Sequence, residues 1–153
     1  MTPTLYLSNW SSSRSVGLHG PGRKLTIMAK PRAWEHGEGR VPLLTPSGTV
    51  LPLLQAALAD RTDAAAMAAY RSAFEAVLGG AERLLRPRRL LAHAGPGGMG
   101  GGLTSEVCDG DTLCCACSRA EAAAGRCHRA WVAPFLARAG WRVLLDGAEV
   151  SGV

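Results

Sequence analysis

Short apolar runs separated by polar, glycine-containing segments mark the beginning of the chain. Thr4-Leu5-Tyr6-Leu7 alternates polar and apolar side chains and predicts a first strand. Leu25-Thr26-Ile27-Met28 predicts a second strand, which Pro31 closes. Residues 41–44 form a third apolar run, which indicates a further short extended piece. This part of the chain therefore favours β-structure.

Helical spacing replaces this pattern in the middle of the chain. Leu51, Leu54 and Leu58 fall on one helical face and predict a helix over about residues 50–60. Thr49 is the expected N-cap, and Pro52 lies in the first turn, where its missing N–H is not needed. A second helix is predicted from residue 64 to the stop at Gly79-Gly80. Its apolar positions are Met67, Tyr70, Phe74, Val77 and Leu78.

The last seventy residues return to strands and end in a strand–helix–strand unit. A basic connector, residues 83–89, leads to a short strand at Leu90-Leu91-Ala92, and the glycine-dense residues 95–102 predict a flexible loop within one domain. Leu113-Cys114-Cys115-Ala116 is the strongest strand. A short helix with Trp131, Val132, Phe135 and Leu136 inward is expected to end at Gly140, before a final strand over residues 141–145. The last two strands are then parallel.

Composition fits a folded domain. The chain has 153 residues, of which 47% are hydrophobic and 19% are charged, which argues against disorder. The formal net charge is +5, and the sequence pI is about 9.3, which permits an anionic partner without requiring one. Fifteen of the seventeen basic residues are Arg. The expected architecture is a single α/β domain over residues 1–153.

Cysteine usage and hydropathy indicate the compartment. Four of the five cysteines lie close together in sequence, and the odd total is a poor disulfide framework. The first ten residues lack the basic start and apolar run of a secretory signal, and no apolar stretch approaches the ~20 residues of a membrane span. We therefore expect a cytoplasmic protein with no membrane partner. The sequence indicates no particular cofactor.

One group of cysteine, histidine and arginine residues is a candidate for a functional site. Leu113-Cys114-Cys115-Ala116-Cys117 is followed, ten residues later, by His128-Arg129 with Cys127 directly before them. In open α/β sheets, ligands bind outside the carboxyl ends of the strands and at helix N-termini, where free N–H groups and the helix dipole attract anions. Arg129 would add a bidentate donor, and the same field would favour the thiolate of Cys127.

These residues also carry a resemblance to a known family. Leu113-Cys114-Cys115-Ala116-Cys117, Cys127-His128-Arg129 and Leu136-Ala137-Arg138-Ala139-Gly140 resemble the signature of the family catalogued as domain of unknown function 488. Ser8-Asn9 and Pro31-Arg32 are similar to the family's N-terminal features. The resemblance implies a Rossmann-like domain with these residues at a shared pocket. The fold class expected is thus α/β, a single Rossmann-like domain with a mostly parallel sheet flanked by helices.

The chain departs from the family pattern at three points. Cys117 stands where the family usually has Glu, and the loop of residues 118–126 is longer than typical. Pro134 falls inside the last helix and removes the N–H bond to Ala130, which predicts a kink or a restart.

The leading hypothesis is a small protein that binds a phosphorylated or otherwise anionic substrate, a nucleotide or nucleic acid, at a Cys-His-Arg pocket. Its catalytic residues would be Cys127 as nucleophile or thiolate, His128 as proton partner and Arg129 as anion clamp. Further pocket residues would be Ser8, Asn9, Cys115 and Cys117. Cys114 is assigned to the core.

Two alternatives remain open. A non-enzymatic nucleic-acid-binding accessory protein would use the basic segments 14–40 and 83–89 as one face. A zinc- or iron-binding domain would use Cys115, Cys117, Cys127 and His128 as ligands, although the C-x-C spacing differs from that of structural zinc loops.

Overall fold

A single mixed sheet forms the centre of the protein. The computed structural model describes residues 2–10, 18–95 and 103–152. Within them the strands are β1 (Thr4–Asn9), β2 (Lys24–Thr26), β3 (Gly39–Arg40), β4 (Leu91–Ala94), β5 (Thr104–Glu106), β6 (Thr112–Cys115), β7 (Arg142–Leu145) and β8 (Ala148–Val150). They form an eight-stranded sheet in the order β5-β4-β3-β2-β6-β1-β7-β8. The protein is therefore α/β, as the sequence predicts.

The middle of the sheet is parallel and its edges are antiparallel. β1 pairs in parallel with β6 and β7, and β2 pairs in parallel with β6 and β3. β4, β5 and β8 add antiparallel pairs at the two edges. The prediction that the strands around the last long helix run parallel is confirmed, with β1 lying between them. A mostly parallel sheet is also confirmed.

Strand alternation divides the residues between the two faces of the sheet. Leu7, Leu113 and Leu25 lie side by side on one face, fully buried in the main core. Ser8 and Cys114 lie side by side on the other face and are also buried, which confirms Cys114 as an interior residue. The first strand is therefore buried on both faces.

Four α-helices lie within the described residues: α1 (Val50–Ala59), α2 (Ala64–Gly80), α3 (Arg119–Ala123) and α4 (His128–Arg138). α4 packs on β1, β6 and β7, whereas α2 packs on α4 and carries α1 against its other side. Trp131 of α4 joins these layers through Tyr70, with 4.8 Å between ring centroids. No helix in the described part of the chain is both long enough and apolar enough to cross a membrane.

Several local predictions need correction. Residues 41–44 do not form an extended piece, because Pro42–Leu44 is a 3₁₀ turn whose N-cap is Val41. Thr49 is the N-cap residue of α1, as predicted, but it has helical dihedral angles and its side chain makes no capping hydrogen bond. α4 continues through Pro134 without a restart. Residues 141–145 do not end the sheet, since β8 follows.

Two further differences concern the apolar face of α1 and the predicted glycine-rich loop. Leu51, Leu54 and Leu58 do share one face of α1, but that face lines a cleft, and the residues of α1 in the core are Val50 and Ala57. In the predicted flexible loop, Gly95 adopts a φ of 88°, which suits glycine, whereas residues 96–102 lie outside the described part of the chain.

Candidate functional site

A cleft opens beside the carboxyl ends of β2 and β6. Its volume is about 180 Å³. The floor contains Cys115, Ala116, Cys117 and His128. The walls are mostly apolar and are made by Met28, Ala29, Pro46, Leu51, Leu54, Leu58 and Tyr70. Lys30, Gln55 and Arg61 add polar groups. This is the side of a parallel sheet at which α/β proteins bind ligands.

Cys115 and Cys117 line the floor, and Cys127 lies next to Cys115. Cys115 ends β6, Cys117 follows it in a bend, and Cys127 immediately precedes α4. The Sγ atoms of Cys115 and Cys127 lie 3.1 Å apart as free thiols. Both residues are buried, whereas Cys117 is partly exposed towards the cleft. The sequence prediction that residues 127–129 meet the end of the 113–117 segment is therefore confirmed.

Arg129 lies beneath the cysteines and is completely buried. Its Nη1 donates to the carbonyl of Cys117 at 2.7 Å and contacts Cys115 Sγ at 3.1 Å. Its Nη2 donates to both carboxylate oxygens of Asp146, at 3.0 and 3.2 Å, and to the carbonyl of Ser118 at 3.3 Å. The guanidinium therefore organises the cysteine-bearing segments from below. Both of its terminal nitrogens are engaged, so the expected role of Arg129 as a direct anion clamp has no geometric support.

Cys117 is the cysteine best placed to carry a negative charge. Hydrogen bonds from the thiols of Cys115 and Cys127 hold the pKa of Cys117 far below its ordinary value, and burial opposes them only in part. Arg61 adds a contact from Nη1 to Cys117 Sγ at 3.6 Å. Burial raises the pKa of Cys115 to about 11, and the neighbouring sulfurs raise the pKa of Cys127 well above its ordinary value. These shifts favour ionisation of Cys117 over ionisation of Cys115 or Cys127.

His128 is held as a neutral ring at the back of the cleft. Burial lowers its pKa, and its Nε2–H donates to the carbonyl of Ile27 at 2.8 Å. Phe74 packs edge-on against the imidazole, with 5.6 Å between centroids. Because the carbonyl of Ile27 fixes the proton on Nε2, the other ring nitrogen, Nδ1, is left unprotonated.

Two of the expected pocket residues do not reach the cleft. Ser8 lies on the opposite face of the sheet from Cys115, and its buried Oγ has no hydrogen-bond partner among the described residues. Asn9 pairs in register with Cys115, but neither it nor Ser8 lines the cleft. Both residues belong to β1, which lies on the other side of β6 from β2 in the sheet.

The proposed metal ligands are not arranged as a metal site. Across residues 2–10, 18–95 and 103–152, no group of three or more His, Cys, Asp or Glu side chains is placed to hold a metal ion. His128 turns its Nε2 towards Ile27, which removes this nitrogen from the set Cys115, Cys117, Cys127 and His128.

Sequence reasoning missed the charged residues that complete the site. Lys30 follows β2, and Arg61 lies in the turn between α1 and α2. Nothing in the local pattern distinguishes them from other surface cations. Asp146 could have been found, because Asp146-Gly147 between apolar residues is a strong hairpin signal. Asp146 has a φ of 48° in that turn, which links β7 to β8.

The chain was compared with family models, curated proteins and solved structures. No family model, no curated protein and no solved structure matches it. The resemblance to the family of unknown function 488 stays a prediction, and the site has to be interpreted from its own geometry.

A Cys114→Ala protein is expected to keep its stability better than the original chain in alkali. Burial raises the pKa of Cys114 from an ordinary value of about 9 to about 12. The pKa of Cys114 is higher in the folded than in the unfolded protein. The contribution of its protonated thiol to the free energy of unfolding is therefore complete below about pH 9 and is lost as the pH rises towards 12. The loss amounts to about 1.4 kcal/mol at pH 10. Urea unfolding at pH 8 and pH 10 with reductant measures this loss of free energy.

Cys108→Ala, at an exposed thiol, is the control. An equal pH dependence of stability in both variants would contradict the raised pKa of Cys114.

Proposed function

We propose that this protein is a Rossmann-like α/β domain that binds a small anionic ligand, phosphorylated and of the mononucleotide class, beside a thiolate nucleophile on Cys117. The observation that carries the proposal is the position of the Cys117 sulfur. Arg61 contacts it, and it faces a cleft at the carboxyl ends of parallel strands. The proposal transfers the nucleophile from Cys127, the sequence-based candidate, to the more accessible cysteine.

The surroundings of Cys117 support a thiolate that is available as a nucleophile. A thiolate is the reactive form of cysteine, and nearby cations lower its pKa. Arg61 contacts the sulfur directly, whereas Arg129 fixes the Cys117 carbonyl from below. The pKa values of the buried thiols of Cys115 and Cys127 are raised, so these two thiols do not compete with Cys117 for the charge. Three sulfurs thus act together to keep one of them ionised.

The size and lining of the cleft support a ligand with a compact apolar part. An enclosed volume of 150 Å³ is enough for benzene, so about 180 Å³ accepts a single ring. Met28, Leu51 and Leu54 offer apolar surface to such a ring. A whole nucleotide would extend beyond the cleft, with its base inside and its phosphate at the opening.

The charges at the cleft support an anionic group on the ligand. Lys30 and Arg61 line it, and no carboxylate among the described residues does. Arg61 forms an ion pair with Glu121, at 3.8 Å from Nη1, but Glu121 lies closer to Arg126, at 3.0 Å. Arg61 is therefore only weakly neutralised and remains available to a phosphate.

Alkylation of Cys117 tests the thiolate. Iodoacetamide forms an S–C bond with a thiolate and releases iodide, so the pH profile of adduct formation, followed by mass spectrometry of peptides, reports the ionised fraction. We expect Cys117 to react at pH 6, with Cys108 as the exposed reference thiol. Arg61→Gln is expected to shift the midpoint of the Cys117 profile upward by about one pH unit, which is a tenfold change in ionisation.

Charged and neutral reagents separate anion binding from simple reactivity. Iodoacetate is expected to alkylate Cys117 faster, relative to iodoacetamide, than it alkylates Cys108. The double variant K30Q/R61Q should abolish this preference, and adenosine monophosphate should protect Cys117 better than inorganic phosphate does. The proposal fails if Cys117 is unreactive at pH 6, or if neither phosphate compound slows its alkylation.

A reducing, cytoplasmic compartment forms part of the proposal. The cysteines at the cleft are free thiols, and the proposed chemistry requires Cys117 to remain reduced.

A further inference from the structure

A second basic surface lies away from the cleft. The segment of residues 83–89 contains four arginines and no acidic residue. All four arginines are exposed. Arg83, Arg86 and Arg89 line an open groove of about 350 Å³ together with Leu84. The groove is thus concave and mostly cationic.

Most other arginines have a protein partner, whereas these four have none among the residues that the structure describes. Arg23, Arg71, Arg129 and Arg142 each form an ion pair with a carboxylate. No ion pair or side-chain hydrogen bond joins the guanidinium groups of residues 83, 86, 88 and 89 to any residue that the structure describes. Four uncompensated charges close together repel one another, and an external polyanion would relieve that repulsion.

The backbone holds the groove in a fixed shape. Leu85 and Leu90 are fully buried anchors on either side of the turn, and Trp141 donates from Nε1 to the carbonyl of Leu85 at 2.6 Å. The carbonyl of Arg86 accepts from the N–H groups of residues 89 and 90, at 2.9 and 3.0 Å. The arginines therefore project from an ordered turn and not from a free linker.

Arg88 adopts a conformation that arginine does not favour. Its φ of 69° lies in the left-handed region, which glycine adopts without steric strain and arginine does not; the residue is exposed. A strained residue of this kind indicates a role for its side chain that offsets the strain. Arg88 lies between Arg86 and Arg89 in the sequence and adds a fourth charge to the segment.

We propose that the groove of Arg83, Arg86 and Arg89, with Arg88 beside it, binds the phosphate backbone of a single-stranded nucleic acid. Guanidinium groups bind phosphate oxygens in bidentate geometry, and arginine is the usual choice for that contact. A single strand can enter a concave groove, whereas a flat lipid surface cannot. This site is separate from the cleft and does not depend on Cys117.

The salt dependence of binding tests the groove. Fluorescence anisotropy with a labelled 20-nucleotide single strand is measured from 50 to 300 mM salt. R86A/R89A is expected to weaken binding by more than about tenfold at 50 mM salt and to reduce the slope of log K against log salt by about 1.4, since each lost phosphate contact on a single strand contributes about 0.7. R71A/R142A removes the same charge from ion-paired positions and should leave the slope unchanged.

Arg88→Gly separates binding from folding. Glycine suits the backbone at this position, so the urea midpoint should be unchanged or higher while affinity for the oligonucleotide falls. Equal losses in R86A/R89A and R71A/R142A would overturn the proposal, as would tighter binding to phosphatidylserine vesicles than to the oligonucleotide. Alkylation of Cys117 in R86A/R89A should match that of the original chain, which keeps the test independent of the cleft.

Discussion

An Arg129→Met protein is expected to lose about 3–5 kcal/mol of its free energy of unfolding, the usual result of removing one partner from a buried ion pair. Methionine fills much of the space but leaves Asp146 without its partner and the carbonyls of Cys117 and Ser118 without a donor. Because the side chain of Asp146 is 12% exposed, water offsets part of the penalty. Urea unfolding at pH 7 measures the loss.

The same change should also disturb the chemistry of the cleft. Without Arg129 the segment that carries Cys117 loses its fixed position, so the pH midpoint for alkylation of Cys117 should rise. R129M/D146N removes both charges and is expected to recover part of the lost stability, because neither partner is then left as an unpaired charge. A loss below about 1 kcal/mol in R129M, with an unchanged Cys117 profile, would refute the structural role of Arg129.

Trp131→Ala is expected to lower the free energy of unfolding by about 3–5 kcal/mol. Trp131 is 1% exposed, packs on Tyr70 and donates from Nε1 to the carbonyl of Gly125 at 2.9 Å. Its loss opens a cavity between α2 and α4 directly below the first turn of α4, where His128 and Arg129 lie. Chemical denaturation measures the change in stability.

Trp34→Ala is the matched control for this prediction. Trp34 is 60% exposed, so the same truncation there should change stability by no more than about 0.5 kcal/mol. Trp131→Phe keeps the ring packing and loses the hydrogen bond to Gly125, and it should fall between the two. Equal effects at positions 131 and 34 would show that the aromatic layer between α2 and α4 contributes little.

Sequence patterns predicted the elements whose signal is local. Helix α2 has regular apolar spacing and a capping Asp63, whose side chain accepts from the N–H of Ala66, and it lies where the pattern places it. Strand β6 is equally clear because it is fully buried and continuously apolar except at Thr112. Strands β3 and β5 have two and three residues, too few to show a period.

The candidate site was predicted in position but only partly in composition. Cys115, Cys117 and Cys127 follow from the ends of consecutive elements, so their meeting could be expected from the parallel arrangement. The role of Arg129 could not, because an arginine is normally exposed and its burial here depends on Asp146 from the hairpin after β7. Arg61 reaches Cys117 only through the packing of α1 on α2, which no local pattern encodes.

The central place of β1 has a consequence for synthesis of the protein. Leu5 and Leu7 leave the ribosome well before their neighbours in the sheet, which come from residues 112–115 and 142–145. At about 5–20 residues per second, translation takes roughly 7–28 s to supply the second neighbour. During that interval the nascent chain has to keep an apolar segment from aggregating, and we expect it to rely on chaperones that bind such segments until translation has passed β7.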